Sequence, residues 1–124
     1  MLSNSFYTIL QISELVTGTS WSISIKLHPE HPVYTGHFPE QAVVPGVCML
    51  QIIKECFENV LNTPFQYKQI ASCKFLTAIL PLENPTLEIQ LSVKERESST
   101  VQIQATGKTK DNDFIKLKAT LISK

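Results

Sequence analysis

The stretch HPVYTGHFPEQAVVPGVCMLQIIKECFENVL, residues 31–61, divides into a turn-rich loop carrying His37 and a helical pattern that the remaining segments can cover. Met49, Ile52, Ile53, Cys56, Phe57, Val60 and Leu61 recur at three- and four-residue spacing, with Gln51, Lys54, Glu55, Glu58 and Asn59 between them. That spacing predicts an amphipathic helix with one buried and one polar side. Asn62, Thr63 and Pro64 end it, since proline has no amide hydrogen and its ring clashes with the preceding turn, so the expected span is Val47 to Leu61. Upstream, three prolines and two glycines within residues 32–46 exclude regular structure and imply a loop held in one shape. Loops fixed to a rigid element are frequent seats of binding or chemistry. Free amides of the first helical turn, near Gly46 and Val47, carry a partial positive charge that can polarise a carbonyl. Gly46 has no side chain to hold a ligand away from them. The same Pro-Gly pair serves equally as a plain helix start.

Working outward, Trp21, Ile23, Ile25 and Leu27 alternate with Ser20, Ser22, Ser24 and Lys26 and predict a half-buried strand. Phe6 to Val16 alternates imperfectly. It is either a strand that pairs with the first through the turn Thr17-Gly18-Thr19, or a short helix over residues 6–13. Beyond the helix, Tyr67 to Leu76 is strand-compatible, and Pro81 and Pro85 bracket a turn. Leu87 to Lys94, Val101 to Ala105 and Ile115 to Leu121 alternate again, separated by turns at residues 94–99 and 108–113. Four consecutive antiparallel strands with one apolar face need a cover, and the long amphipathic helix is the candidate.

With 124 residues and no linker, repeat or low-complexity tract, residues 1–124 are expected to form a single domain. A chain of this size buries roughly two thirds of its unfolded surface without metal or disulfide support. Eleven basic and eleven acidic residues cancel, with no run of four like charges, which argues against a nucleic-acid surface or a membrane-binding stripe. No apolar stretch approaches a membrane span and the N-terminus lacks a signal-peptide pattern, so a soluble, cytoplasmic protein is expected. Cys48, Cys56 and Cys73 are odd in number and lack Cys-x-x-Cys spacing, so they are read as reduced, partly buried thiols.

The order of elements, strands, a central helix and a meander wrapped around it, resembles the α+β hot-dog fold. Gly36-His37-Phe38-Pro39 followed by Val44-Pro45-Gly46-Val47 is similar to the signature of 3-hydroxyacyl-(acyl carrier protein) dehydratases. Ile70 to Leu76 followed by Pro81 matches the family's strand and turn after the helix. The resemblance implies elimination of water from a 3-hydroxyacyl thioester to a trans-2-enoyl thioester, in fatty-acid or polyketide-type synthesis. It implies no metal and no cofactor beyond the phosphopantetheine of acyl carrier protein, or coenzyme A, that carries the substrate. It also implies a homodimer or higher homo-oligomer, with the acyl chain lying between subunits along the apolar helix face. In that family the loop histidine, His37 here, removes the C2 proton and faces a helix carboxylate of the other subunit. The thioester carbonyl bonds to the amide at Gly46, and Val47 lines the same end of the helix.

Fourteen positions after His37, where the resemblance places the carboxylate, stands Gln51. A carboxylic acid can protonate a departing hydroxyl; an amide can only orient a hydroxyl or water. Loss of a general acid commonly removes a factor of roughly a hundred to ten thousand. Glu55 shares the helical face, but its backbone lies about 6 Å along the axis. Three readings follow. His37 works with a proton from ordered water or another acid; a Glu-bearing hot-dog partner completes the site in a heterodimer; or the chain only binds an acyl thioester or acyl carrier protein.

Other candidates have structural alternatives. Cys48 is a nucleophile activated by His37, or a small inert helix residue. Tyr34 and Phe38 shape an acyl entrance or pack the loop. His28 and His31 are read as exposed loop histidines, since His-x-x-His without an acidic third ligand is weak evidence for zinc. Trp21 is read as core.

Overall fold

Alternation over residues 20–27 and 86–96 sets the architecture, because a strand with every second residue apolar must turn one face to a cover. A computed structural model describes residues 5–32, 34 and 43–124. Strands β1 (Tyr7–Val16), β2 (Ser20–Leu27), β3 (Phe65–Phe75), β4 (Thr86–Arg96), β5 (Thr100–Lys108) and β6 (Asp113–Ser123) form one antiparallel sheet with the helix α1 (Gly46–Leu61) on its apolar face. The spatial order is β1-β2-β4-β5-β6-β3. This is the expected hot-dog architecture, with β4, β5 and β6 as the meander and β3 placed beyond β6 at an edge.

Residues 6–13 are not a short helix. β1 pairs with β2 as a hairpin whose turn is closed by Gly18 at φ 68°, a left-handed conformation that glycine adopts without strain. Register shifts between Ile9 and Gln11 and between Glu14 and Val16 explain the broken alternation. The other expected strands are present, several extended by a few residues: β4 runs on to Arg96, and β5 to Lys108 before the turn into β6. Gly107 of β5 lies under the Phe114 ring, which fills the space a Cβ would need.

Trp21, Ile23, Ile25 and Leu27 from β2, and Leu87, Ile89, Leu91 and Val93 from β4, face Met49, Ile52, Ile53, Cys56 and Phe57 of α1. Full burial of each large apolar side chain contributes about 1.5–3 kcal/mol. Burial pushes the Cys56 thiol up to about 12, the Glu55 carboxylate adding to the shift, so it packs as an apolar group. α1 ends at Asn62, which adopts φ 51°, a conformation asparagine tolerates better than most residues.

One expectation for the helix needs correction. Lys54 and Glu55 do not lie on a solvated side; they are only 8% and 5% exposed. The sheet curls far enough around α1 that the strands at its margins reach these side chains. Lys54 Nζ donates to the Phe65 carbonyl at 3.2 Å and lies 3.6 Å from Glu58, whose Oε2 accepts the Phe65 amide at 2.8 Å. The C-terminal end of α1 is thereby fastened to the start of β3. Among the described residues, no helix is long and apolar enough to cross a membrane.

Candidate functional site

The site begins where proline starts the helix. Pro45, at φ −63° and ψ 144°, precedes α1 in an extended conformation, and its carbonyl accepts the amides of Cys48 (3.0 Å) and Met49 (3.2 Å). The Gly46 and Val47 amides lie in the first turn, too early for an intrahelical acceptor, and among the described residues no side chain caps this end. Val44 is pinned by its amide to the Ile79 carbonyl at 2.9 Å. A groove of about 340 Å³ opens here, lined by Val44, Gly46, Met49, Phe75, Leu76 and Ile79 among others. Gly46 is bare for a reason the sequence does not show: a Cβ would lie 2.9 Å from Cζ of Phe75, so an aromatic ring occupies that space. Val47 points outward and is 76% exposed.

One turn further, Gln51 is half-buried and donates from Nε2 to Oε2 of Glu55 at 2.7 Å. Tyr7 of β1, fully buried, donates its hydroxyl to Oε1 of the same carboxyl at 2.9 Å. Both oxygens of Glu55 therefore act as acceptors. Its backbone is a full turn from Gln51, but helical side chains lean toward the N-terminus, so the carboxyl reaches the tip of Gln51. Tyr7 and the buried role of Glu55 escaped the sequence reading. The four-residue spacing of Gln51 and Glu55 was the available signal.

Tyr67 of β3 donates to the Leu50 carbonyl at 2.6 Å, and burial raises its phenol well above the ordinary range. Tyr34 is buried and stacks on Phe6 with ring centroids 5.3 Å apart, so it packs in the apolar core. Burial, with smaller contributions from Cys48 and Glu30, raises its phenol. Burial also raises the Cys48 thiol, the opposite of what a nucleophile needs. Cys48→Ala should accordingly leave thioester turnover within about twofold of wild type, measured as kcat/KM; a loss of a hundredfold or more would restore the covalent route.

His28 and His31 are not free in solvent. The His28 ring nitrogen Nε2 lies 2.7 Å from the Thr8 hydroxyl, and His31 makes an edge contact with Phe6 at 5.2 Å. Both anchor the hairpin base to the loop. His37 and Phe38 lie outside the described residues. The structure thus places Gly46, Val47 and Gln51 on the first turns of α1, with Tyr34 in the core.

Comparison with known proteins agrees with this fold. A family model described as ApeI-like, ApeI dehydratase, matches residues 13–114. The 3-hydroxyacyl-[acyl-carrier-protein] dehydratase FabZ of Pasteurella multocida is 28% identical over 85 residues, covering 61% of this chain and 55% of that protein. FabZ of Colwellia psychrerythraea is 32% identical over 74 residues, covering 52% and 49%. The chain thus spans about half the length of these relatives. The solved structure of the dehydratase heterocomplex ApeI:P from Xenorhabdus doucetiae superposes with a TM-score of 0.75 at 20% identity, covering 92% of this chain and 96% of that one. A hypothetical thioesterase from Streptococcus pneumoniae, solved with coenzyme A, superposes with a TM-score of 0.67 at 14% identity, covering 95% and 85%.

Proposed function

This chain belongs to the ApeI-like dehydratase family, and from that premise we propose that it supplies half of a site for removing water from a 3-hydroxyacyl thioester. The other half, a carboxylic acid, comes from a Glu-bearing hot-dog subunit. The observation that carries the reading is the state of Gln51: an amide stands at the acid's position, and the adjacent carboxyl, Glu55, is buried and already bonded to Tyr7 and Gln51. The Xenorhabdus doucetiae structure, a dehydratase heterocomplex, supports the pairing. The unpaired edge of β3, where Ile70 is 41% exposed, is a surface on which a second sheet can continue this one.

In the proposed reaction the thioester carbonyl accepts from the free amides at Gly46 and Val47, which acidifies C2. Neutral His37 takes the C2 proton, the electron pair forms the C2–C3 double bond, and the C3–O bond breaks. The departing hydroxyl takes its proton from the partner's carboxylic acid and leaves as water. The thioester is carried on acyl carrier protein or coenzyme A.

The test is dehydration of 3-hydroxybutyryl and 3-hydroxyoctanoyl thioesters, and hydration of the enoyl products, by the chain alone and co-purified with a Glu-bearing subunit. The assembly should exceed the chain alone by roughly 10²–10⁴ in kcat/KM, and His37→Ala in this chain should abolish the gain. Full turnover by the chain alone would show that no partner acid is needed. Assembly activity indifferent to His37→Ala would show that this chain contributes no base.

A further inference from the structure

We propose that a groove on the outer face of the sheet binds the phosphate of the thioester's carrier, the group that coenzyme A and the phosphopantetheine of acyl carrier protein share. The identity of that phosphate rests on the reading above; the groove itself does not. Ser72 and Lys74 of β3, Gln104 and Thr106 of β5, and Lys116 and Lys118 of β6 line a concavity of about 250 Å³. The strand register builds it as two adjacent rows. Thr106, Lys116 and Lys74 stand side by side in one, and Gln104, Lys118 and Ser72 in the next. Ala105 and Leu117, which alternate with them, belong to the core against α1, so these six side chains point to the other face. The lysines are exposed, while Ser72, Gln104 and Thr106 are half-buried beside them.

Lys74 lies directly opposite Lys116, an arrangement that costs stability when nothing neutralises it. Among the described residues, none of the three ammonium groups pairs with a carboxylate. Both rows continue onto β4 as Gln90 and Ser92, so no acid enters from that side. Three of the chain's eleven basic residues thus meet without an acidic side chain, although the formal charge of the chain is zero. Three ammonium groups, two hydroxyls and an amide supply the donors that phosphate oxygens accept. The rows turn uncharged at β4, whereas a docked acidic protein needs a face of roughly 800 Å². Position favours the carrier's phosphate in particular. Phosphopantetheine holds the thioester at one end and the phosphate at the other. Phe75, which lines the groove at Gly46, directly follows Lys74, and the two point to opposite faces of β3. An arm running from one groove to the other has only to round the end of that strand.

The experiment is calorimetric titration of the whole chain at low salt with phosphopantetheine, pantetheine, coenzyme A, and an acyl carrier protein in its apo and holo forms. Phosphopantetheine should bind at least about tenfold tighter than pantetheine, the worth of one hydrogen bond to a charged group. The difference should vanish in Lys116→Gln with Lys118→Gln, both at exposed positions, and should shrink in the wild type as salt is raised. Tighter binding of coenzyme A or of the holo carrier protein, each lost in the double variant, supports the groove and says which carrier uses it. Equal affinity for phosphopantetheine and pantetheine, or a preference that survives the double variant, would overturn the proposal. Apo and holo carrier protein binding alike, with the lysines required for both, would also overturn it, since the groove would then meet an acidic protein face rather than a phosphate. The titrations need no turnover. An assembly that fails to dehydrate would defeat the dehydratase reading and leave the affinities of the groove as measured.

Discussion

Gln51→Glu alone should recover far less dehydratase activity than the exchange Gln51→Glu with Glu55→Gln. Substituting an acid at position 51 puts a second carboxyl at the tip of Glu55, where the Gln51 amide now sits 2.7 Å from Oε2. Two carboxylates at that spacing cannot both ionise, so the pair holds one proton between its members. That proton is shared inward, with Glu55, rather than offered outward to a leaving hydroxyl. In the exchange both bonds are kept and only the one between 51 and 55 reverses: the amide at 55 still accepts from Tyr7 through its carbonyl and now donates to the new carboxyl. One oxygen of that carboxyl stays free to carry a proton outward. The exchange should make the chain independent of a partner acid, with kcat/KM for 3-hydroxyacyl thioesters up by about 10²–10⁴. The single substitution should stay at least tenfold below it.

Stability supplies a second readout. The shared proton raises the folded-state pKa of the pair above its unfolded value, so the folded state binds more protons. The stability of Gln51→Glu should therefore fall as pH rises through that raised value, whereas the exchange should show no such loss. If both variants turn over equally and melt alike at every pH, the Gln51–Glu55 bond has no bearing on the site.

Much of this was legible in the sequence, and the part that was not has a common cause. The alternation around Trp21 and Leu87 and the three-and-four spacing from Met49 gave β2, β4 and α1, because burial on one face writes itself into local periodicity. Counting from His37 gave Gln51. Local pattern failed where the partner is distant. β1 carries register shifts that expose Leu10, Leu15 and Val16 and break its alternation. The position of β3 beyond β6 is a matter of topology. Lys54 and Glu55 sat among the polar residues of the helix, and nothing near them announces burial. The groups that meet them, Phe65 and Tyr7, lie 11 and 48 residues away. Gly46 read as a glycine kept bare for a ligand, but in three dimensions the space its Cβ would take holds the Phe75 ring.

The second buried ion on α1 leads to the other large effect, this time on stability. Glu58→Ala should destabilise the fold by about 3–5 kcal/mol, while Lys54→Met should change it by less than about 1 kcal/mol. The two residues form one pair, yet their removal is not symmetric. Glu58 accepts the buried Phe65 amide at 2.8 Å as well as facing Lys54 at 3.6 Å. Without it, a buried donor loses its acceptor and a buried ammonium retains only the Phe65 carbonyl at 3.2 Å. Methionine at 54 instead removes the charge and keeps most of the side-chain volume, and Glu58 remains bonded to Phe65. Urea denaturation of the two single variants and of Lys54→Met with Glu58→Gln decides the matter. The double variant keeps an acceptor for Phe65 and should track Lys54→Met. Equal losses for Lys54→Met and Glu58→Ala would mean that the ion pair itself, rather than the helix-to-strand clamp at Phe65, holds α1 to the sheet. The order expected here makes Glu58 the anchor at one end of α1, as Glu55 is the anchor toward the other, each holding the helix to a strand at a margin of the sheet.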